Sequence, residues 1–337
     1  MEINRILSIF FVVVYVSLFT GCVTTRSGSE VEVKKLDAKM SMAEILELTI
    51  QQGGPTLEDA KHILKDDPLR SRAESLLEQQ LISRGEKYTS FQAANAIQLY
   101  RFLKPKEPEK VFLSWMNVEN PVIRQFGWEI AAVFPSRKMA TSIEKFLSKV
   151  IAEGEEAAVL IPEMARAVRA NGMSETYSLL RMGLLEVGSL EFVEAMATLN
   201  PKKASDDFLL YLKKAPVEEL RQLNMISVNV YSCMAILRHL LSNPPSVSHP
   251  DFSHLFLFGI SRNTGLADLA VMVVSSYVPN HREHLALMLS RMPVWVQLAY
   301  LEKIRRDQPE HMNTFIAALK EVASQPDVVS ELEGFPY

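Results

Sequence analysis

Proline recurs along this chain directly before apolar-periodic segments, at Asp67-Pro68, Glu107-Pro108, Asn120-Pro121, Asn200-Pro201 and Gln308-Pro309. Such a position suits the first turn of a helix, where the missing N–H would have no intrahelical partner. Further inside a helix or a sheet the same residue removes a bond. Other helix starts are expected at Ser90, Ser136, Ser174, Ser189, Asn263 and Asn280. At Ser41 the run Ser41-Met42-Ala43-Glu44 fits a capping box before Ile45, Leu46, Leu48 and Ile50. Gly53-Gly54-Pro55 is expected to end that helix, with Thr56 capping the next, and Gly85 to close the helix from Leu69. The helices so marked are about 10 to 17 residues long with short joints, which suits antiparallel neighbours. Glycine is scarce, 13 in 337, and alternating β-branched runs are hard to find beyond the first residues. An all-α fold follows.

Aligning the tight turns exposes a repeat. WEIAAVFPSRKMATSIEKFL, EAMATLNPKKASDDFLLYL, MVVSSYVPNHREHLALML and EKIRRDQPEHMNTFIAAL share a helix, a proline-containing turn and a second helix. They turn at Pro135, Pro201, Pro279 and Pro309, and weaker copies turn near Pro108, Gly172 and Pro250. Successive spacings are 27, 37, 29, 49, 29 and 30 residues, the longest hiding an extra element around Ser242 to Pro250. Two helices per unit at such a period signal an α–α superhelix. The stretch Asn120 to Ala132 resembles a HEAT repeat in its valine and arginine (Val122, Arg124), with Gly127 near a position where alanine is common. That resemblance implies a HEAT/armadillo-like solenoid of antiparallel helix pairs over residues 41–337. Two alternatives stay open: tetratricopeptide-like packing, although its Trp/Gly/Tyr pattern is absent, and a compact irregular bundle, given the uneven spacing.

At the N-terminus, Ile6 to Phe19 form an apolar run of 14 residues behind Arg5. That length suits a secretory signal core and is short for a helix crossing roughly 30 Å of hydrocarbon. Leu18-Phe19-Thr20-Gly21-Cys22 then resembles the lipobox of bacterial lipoproteins. The resemblance implies a signal peptide at residues 1–21, removed to leave Cys22 as a diacylglyceryl-bearing N-terminus. Residues 22–40 would form a lipidated, polar linker. Each buried methylene of an acyl chain contributes about 0.8 kcal/mol to membrane attachment. Val23 stands where an aspartate would resemble an inner-membrane retention signal, so the expected address is the outer membrane, facing the periplasm. An uncleaved membrane anchor is the alternative.

The formal charge is −4 and the Lys and Arg residues are not clustered, so no nucleic-acid partner is expected. Only Cys22 and Cys233 are present, which leaves no intramolecular disulfide once Cys22 is lipidated. Cys233, within an apolar stretch, is expected to be a buried, inert thiol.

Chemistry-bearing motifs are sparse. His281 and His284 could share a helix face, but zinc would need further ligands such as Glu283, His249 or His254, and no H-E-x-x-H run or cysteine pair accompanies them. No metal site and no cofactor are expected. His249 and Asp251 are assigned to a turn and to the N-cap of a helix at Phe252. No G-x-S-x-G elbow or phosphate-cradling glycine loop is present. Phe126 aligns with Val122, Ile130 and Val133 on an apparent core stripe. Trp128 lies about 200° away, beside Arg124 and Ala131. It either faces a neighbouring repeat or, with Arg124, lines a partner-binding groove, both residue types being frequent interface anchors. The expected function is a non-enzymatic scaffold or adaptor for protein partners in the cell envelope. A metal-dependent or cell-wall-acting enzyme and a purely structural envelope spacer are the alternatives.

Overall fold

The computed structural model describes Leu36, residues 40–222, Met225, residues 227–307 and residues 312–335. The apolar run, Cys22, the expected linker apart from Leu36 and Met40, and the Gln308-Pro309 turn lie outside the described residues. Among the described residues there are 18 α-helices and no strand. They are α1 (Met42–Gln52), α2 (Gly54–Ile63), α3 (Asp67–Arg84), α4 (Ser90–Leu103), α5 (Pro108–Met116) and α6 (Pro121–Val133). Next come α7 (Arg137–Glu153), α8 (Pro162–Ala170), α9 (Tyr177–Glu186), α10 (Leu190–Leu199), α11 (Pro201–Leu212) and α12 (Val217–Leu220). The last six are α13 (Val230–Ser242), α14 (His254–Gly259), α15 (Thr264–Ser290), α16 (Val294–Asp307), α17 (Asn313–Val322) and α18 (Pro326–Glu333).

Local chemistry explains most of the boundaries. The Ser41 capping box forms, with Glu44 N donating to Ser41 Oγ at 3.3 Å and Ser41 N donating to Glu44 Oε2 at 2.8 Å. Asn120, Ser136, Asn200 and Asn263 cap their helices through side-chain oxygens. Proline opens α5, α6 and α11 as expected, and also opens α8 at Pro162 and α18 at Pro326. Two expectations fail. Thr56 does not cap α2; that helix already begins at Gly54, and the Thr56 hydroxyl lies 3.0 Å from Gln52 Oε1. The turn expected at Pro279 is instead a kink inside α15, where His281 leaves helical geometry (φ −137°, ψ 19°). A proline deep in a helix loses its hydrogen bond and crowds the carbonyl one turn back, which bends the rod without ending it.

Substantial helix contacts join only elements at most three apart in chain order, and they sort into two rows. In one row α1, α4, α6, α8, α10, α13, α15 and α17 touch in succession. The other contains the runs α3–α5–α7, α9–α11 and α12–α14–α16–α18. Between the rows, pairs such as α5–α6, α9–α10, α14–α15 and α17–α18 close the layer. The long interval after Pro201 holds α12 and α13, followed by an irregular segment at residues 243–253. One continuous apolar cluster runs between the rows from Leu46 to Phe335.

Polar side chains tie successive layers by bonding to carbonyls near helix ends. Asn95 Nδ2 donates to Ile50 O in the last turn of α1 at 3.0 Å, and Asn171 Nδ2 donates to Ala131 O in the last turn of α6 at 2.9 Å. Trp115 Nε1 donates to Leu81 O near the end of α3 at 2.8 Å. Elsewhere a missing side chain permits the contact: a Cβ on Gly183 in α9 would lie 2.1 Å from the fully buried Phe192 ring of α10.

Candidate functional site

Helix α6 carries the two residues expected to bind a partner, and the structure separates their roles. Trp128 is 1% exposed and packs edge-on against Phe112 of α5 (5.5 Å between ring centroids) and Phe146 of α7 (5.8 Å). The groove expectation for Trp128 is therefore corrected: its indole is part of the core between neighbouring helices. The assumed core stripe is corrected with it. Ile123, Gly127, Trp128, Ile130 and Ala131 are the buried residues, while Val122 is 37% exposed and Phe126 and Val133 are half-buried. Apolar spacing placed the stripe on Phe126 and Val122, but α6 touches α4, α5 and α8, so a wider arc is buried that includes Trp128 and the small residues Gly127 and Ala131. A Cβ on Gly127 would lie 2.8 Å from Met116 Sδ of α5. Arg124 remains half-buried at the edge of this arc.

Beside Arg124 a charged ladder follows the α6–α8–α10 row. Gln125 Nε2 donates to Glu163 Oε1 at 2.9 Å, and Arg166 Nη2 lies 3.1 Å from Glu129 and 3.3 Å from Glu163. Arg169 pairs with Glu194 in the next helix. One guanidinium thus bridges two carboxylates from different helices, and Glu163 is only 5% exposed. Both carboxylates are committed to this network, which ties α6 to α8. Sequence reasoning missed this network, although Glu163, Arg166 and Arg169 recur at a spacing of three that places them on one helix face.

Among the described residues, Ser205 Oγ approaches His239 Nε2 as a nucleophile would a base, at 3.3 Å. The same nitrogen lies 3.0 Å from Pro201 O, to which it must donate, and Ser205 Oγ donates to Asn243 O at 2.7 Å. His239 Nε2 therefore carries its proton and cannot take one from Ser205. Burial holds the His239 imidazole below its usual pKa, the bond to Pro201 O opposing that shift. The pair fastens α11 to α13.

The remaining expected residues are dispersed. His281 and His284 are exposed around the α15 kink, and among the described residues no three His, Cys, Asp or Glu side chains converge as metal ligands. Asp251 does not cap a helix at Phe252; it is 7% exposed and pairs at 2.7 Å with Lys213, which follows the last residue of α11, while α14 starts at His254. Cys233 is fully buried in α13, and burial pushes its thiol pKa up to about 12. Cys22 lies outside the described residues. Among the described residues no helix is long and apolar enough to cross a membrane. No protein-family model matches this chain, and no match is found among curated proteins or solved structures.

Proposed function

We propose that this chain is a lipoprotein of the bacterial cell envelope, held at the periplasmic face of the outer membrane through Cys22, where its helical repeats form a non-enzymatic scaffold for protein partners. The observation that carries this reading is the near-diagonal contact network: two rows of helices, each element making its substantial contacts with close neighbours in chain order. Such a network is what stacked helix pairs of a HEAT-like solenoid produce. A solenoid grows by stacking and leaves a long face on each row. That geometry suits binding of extended or folded protein surfaces better than enclosure of a small substrate. The cross-layer bonds at Asn95, Trp115, Arg166 and Asn171 support the same reading, since they fix the angle between layers and hold such a face rigid.

The lipobox-like Leu18–Cys22 and the absence of a spanning helix among the described residues are compatible with attachment through Cys22. Affinity purification of the tagged full-length protein from detergent-solubilised membranes tests the scaffold role. One or more partners in near-stoichiometric amount are expected. Recovery of the chain alone, under conditions that retain known envelope complexes, would contradict the adaptor reading and leave a structural spacer.

A further inference from the structure

A cleft of about 480 Å³ opens where α2, α3 and α4 meet, lined by Lys61, Arg70, Gln98, Arg101, Phe102 and Lys104. Four of the six lining residues are cations and none is a carboxylate, in a chain whose formal charge is −4. Two of these cations are partly answered from outside the cleft: Lys61 Nζ lies 2.6 Å from Glu58, and Arg70 Nη1 lies 3.7 Å from Asp67. Among the described residues Arg101 and Lys104 have no ion-pair partner.

Arg70 is built into the wall. Its guanidinium stands 5.7 Å over the Phe102 ring, and its Nε is buried with no hydrogen-bond partner. Its Nη2 donates to Lys65 O at 3.3 Å, which holds the guanidinium in place. Lys104 adds a second irregularity as the one non-glycine residue with positive φ (56°) among the described residues. A left-handed backbone there costs a lysine roughly 1 kcal/mol that glycine would avoid.

We propose that this cleft binds a phosphate-bearing anion, with Arg101 and Lys104 as its direct ligands and Arg70, stacked on Phe102, as the fixed wall behind them. Two unpaired cations match a dianionic phosphate monoester or a phosphodiester with a second acceptor better than a single carboxylate, and a guanidinium binds such oxygens through paired N–H bonds. The phosphate could come from a soluble ester or from a lipid headgroup. The lipid source, which alone rests on the proposed anchor, is within reach. The 17 residues between Cys22 and Met40 span at most roughly 60 Å when extended.

The test uses the mature chain, residues 22–337, with Cys22→Ala, so that neither acyl chains nor the apolar run at residues 6–19 can contribute, and two probes. One is sn-glycerol 3-phosphate followed by calorimetry; the other is co-sedimentation with phosphatidylcholine vesicles with and without phosphatidylglycerol. Arg101→Gln/Lys104→Gln is compared with Lys145→Gln/Lys202→Gln, which removes the same charge from two exposed lysines elsewhere. At least one probe is expected to bind, with the cleft variant weakened tenfold or more and the control variant little changed. Binding of the soluble ester assigns a soluble ligand, and binding confined to anionic vesicles assigns a headgroup. Failure of both probes to bind, or equal weakening by the two variants, overturns the proposal. Loss of membrane attachment in Cys22→Ala cells bears only on the anchor.

Discussion

Gly183→Ala isolates how tightly one layer of this stack meets the next. In an exposed helix interior the change would stabilise by roughly 1 kcal/mol, because alanine has the higher helix propensity. Here the added Cβ would lie 2.1 Å from Phe192 Cε1 and 2.4 Å from Cζ, far inside any real contact. Phe192 is fully buried, so its ring has no open space to swing into. Over-packing of a filled core costs about 1 to 3 kcal/mol, which outweighs the propensity gain. Net destabilisation of up to about 2 kcal/mol is therefore expected, a fall in Tm of up to a few degrees at this chain size. Gly265→Ala is the matched control. It lies in the first turn of α15, where a Cβ would find its nearest neighbours at 3.5 Å, so it should be neutral or slightly stabilising. Thermal and denaturant melts followed by far-UV circular dichroism read both. Equal or greater stability of Gly183→Ala would refute the close approach of α9 and α10.

Other consequences are independent of that contact. Trp128→Ala should lose about 3 to 5 kcal/mol, as expected for truncating an enclosed aromatic, whereas half-buried Arg124→Ala should cost under about 1 kcal/mol; equal effects in denaturant melts would return Trp128 to the surface. In the Cys22→Ala protein Cys233 is the sole thiol, and burial together with its raised pKa should leave it unreactive toward a disulfide reagent at pH 8 until guanidinium unfolds the chain, when one thiol per chain appears. Burial is the main cause that holds His239 and His254 below the ordinary histidine range, opposed by bonds to Pro201 and Asp251. Their neutral forms stabilise the fold fully above the unfolded pKa of about 6.5, and that stability is lost as pH falls through the folded values. Melts at stepped pH should show Tm falling below about pH 6.5, less steeply in His239→Gln; a flat profile would contradict the neutral assignment.

Much of the fold was legible because its signals are local. The Ser41 box, the asparagine caps and the first-turn prolines depend on a few adjacent residues, and they mark α1, α5, α6, α7, α11 and α15 correctly. Pro279 misled because a proline starts a helix or kinks one according to what packs around it, and sequence does not show that. The face of α6 misled for a related reason. Hydrophobic periodicity finds the bulkiest stripe, whereas a helix gripped by three neighbours buries the side where Gly127 and Ala131 let them approach. The α6–α8–α10 ladder and the α2–α3–α4 cleft join residues from separate helices, so only the tertiary arrangement brings them together.

The functional reading depends on a lipid at Cys22, and mass spectrometry of the protein isolated from bacterial membranes addresses that directly. A mature N-terminal peptide beginning at Cys22 and carrying a diacylglyceryl group is expected, and it should be absent from Cys22→Ala. An unmodified peptide spanning Gly21 and Cys22 in the membrane-bound protein would contradict the anchor and favour an uncleaved N-terminal segment.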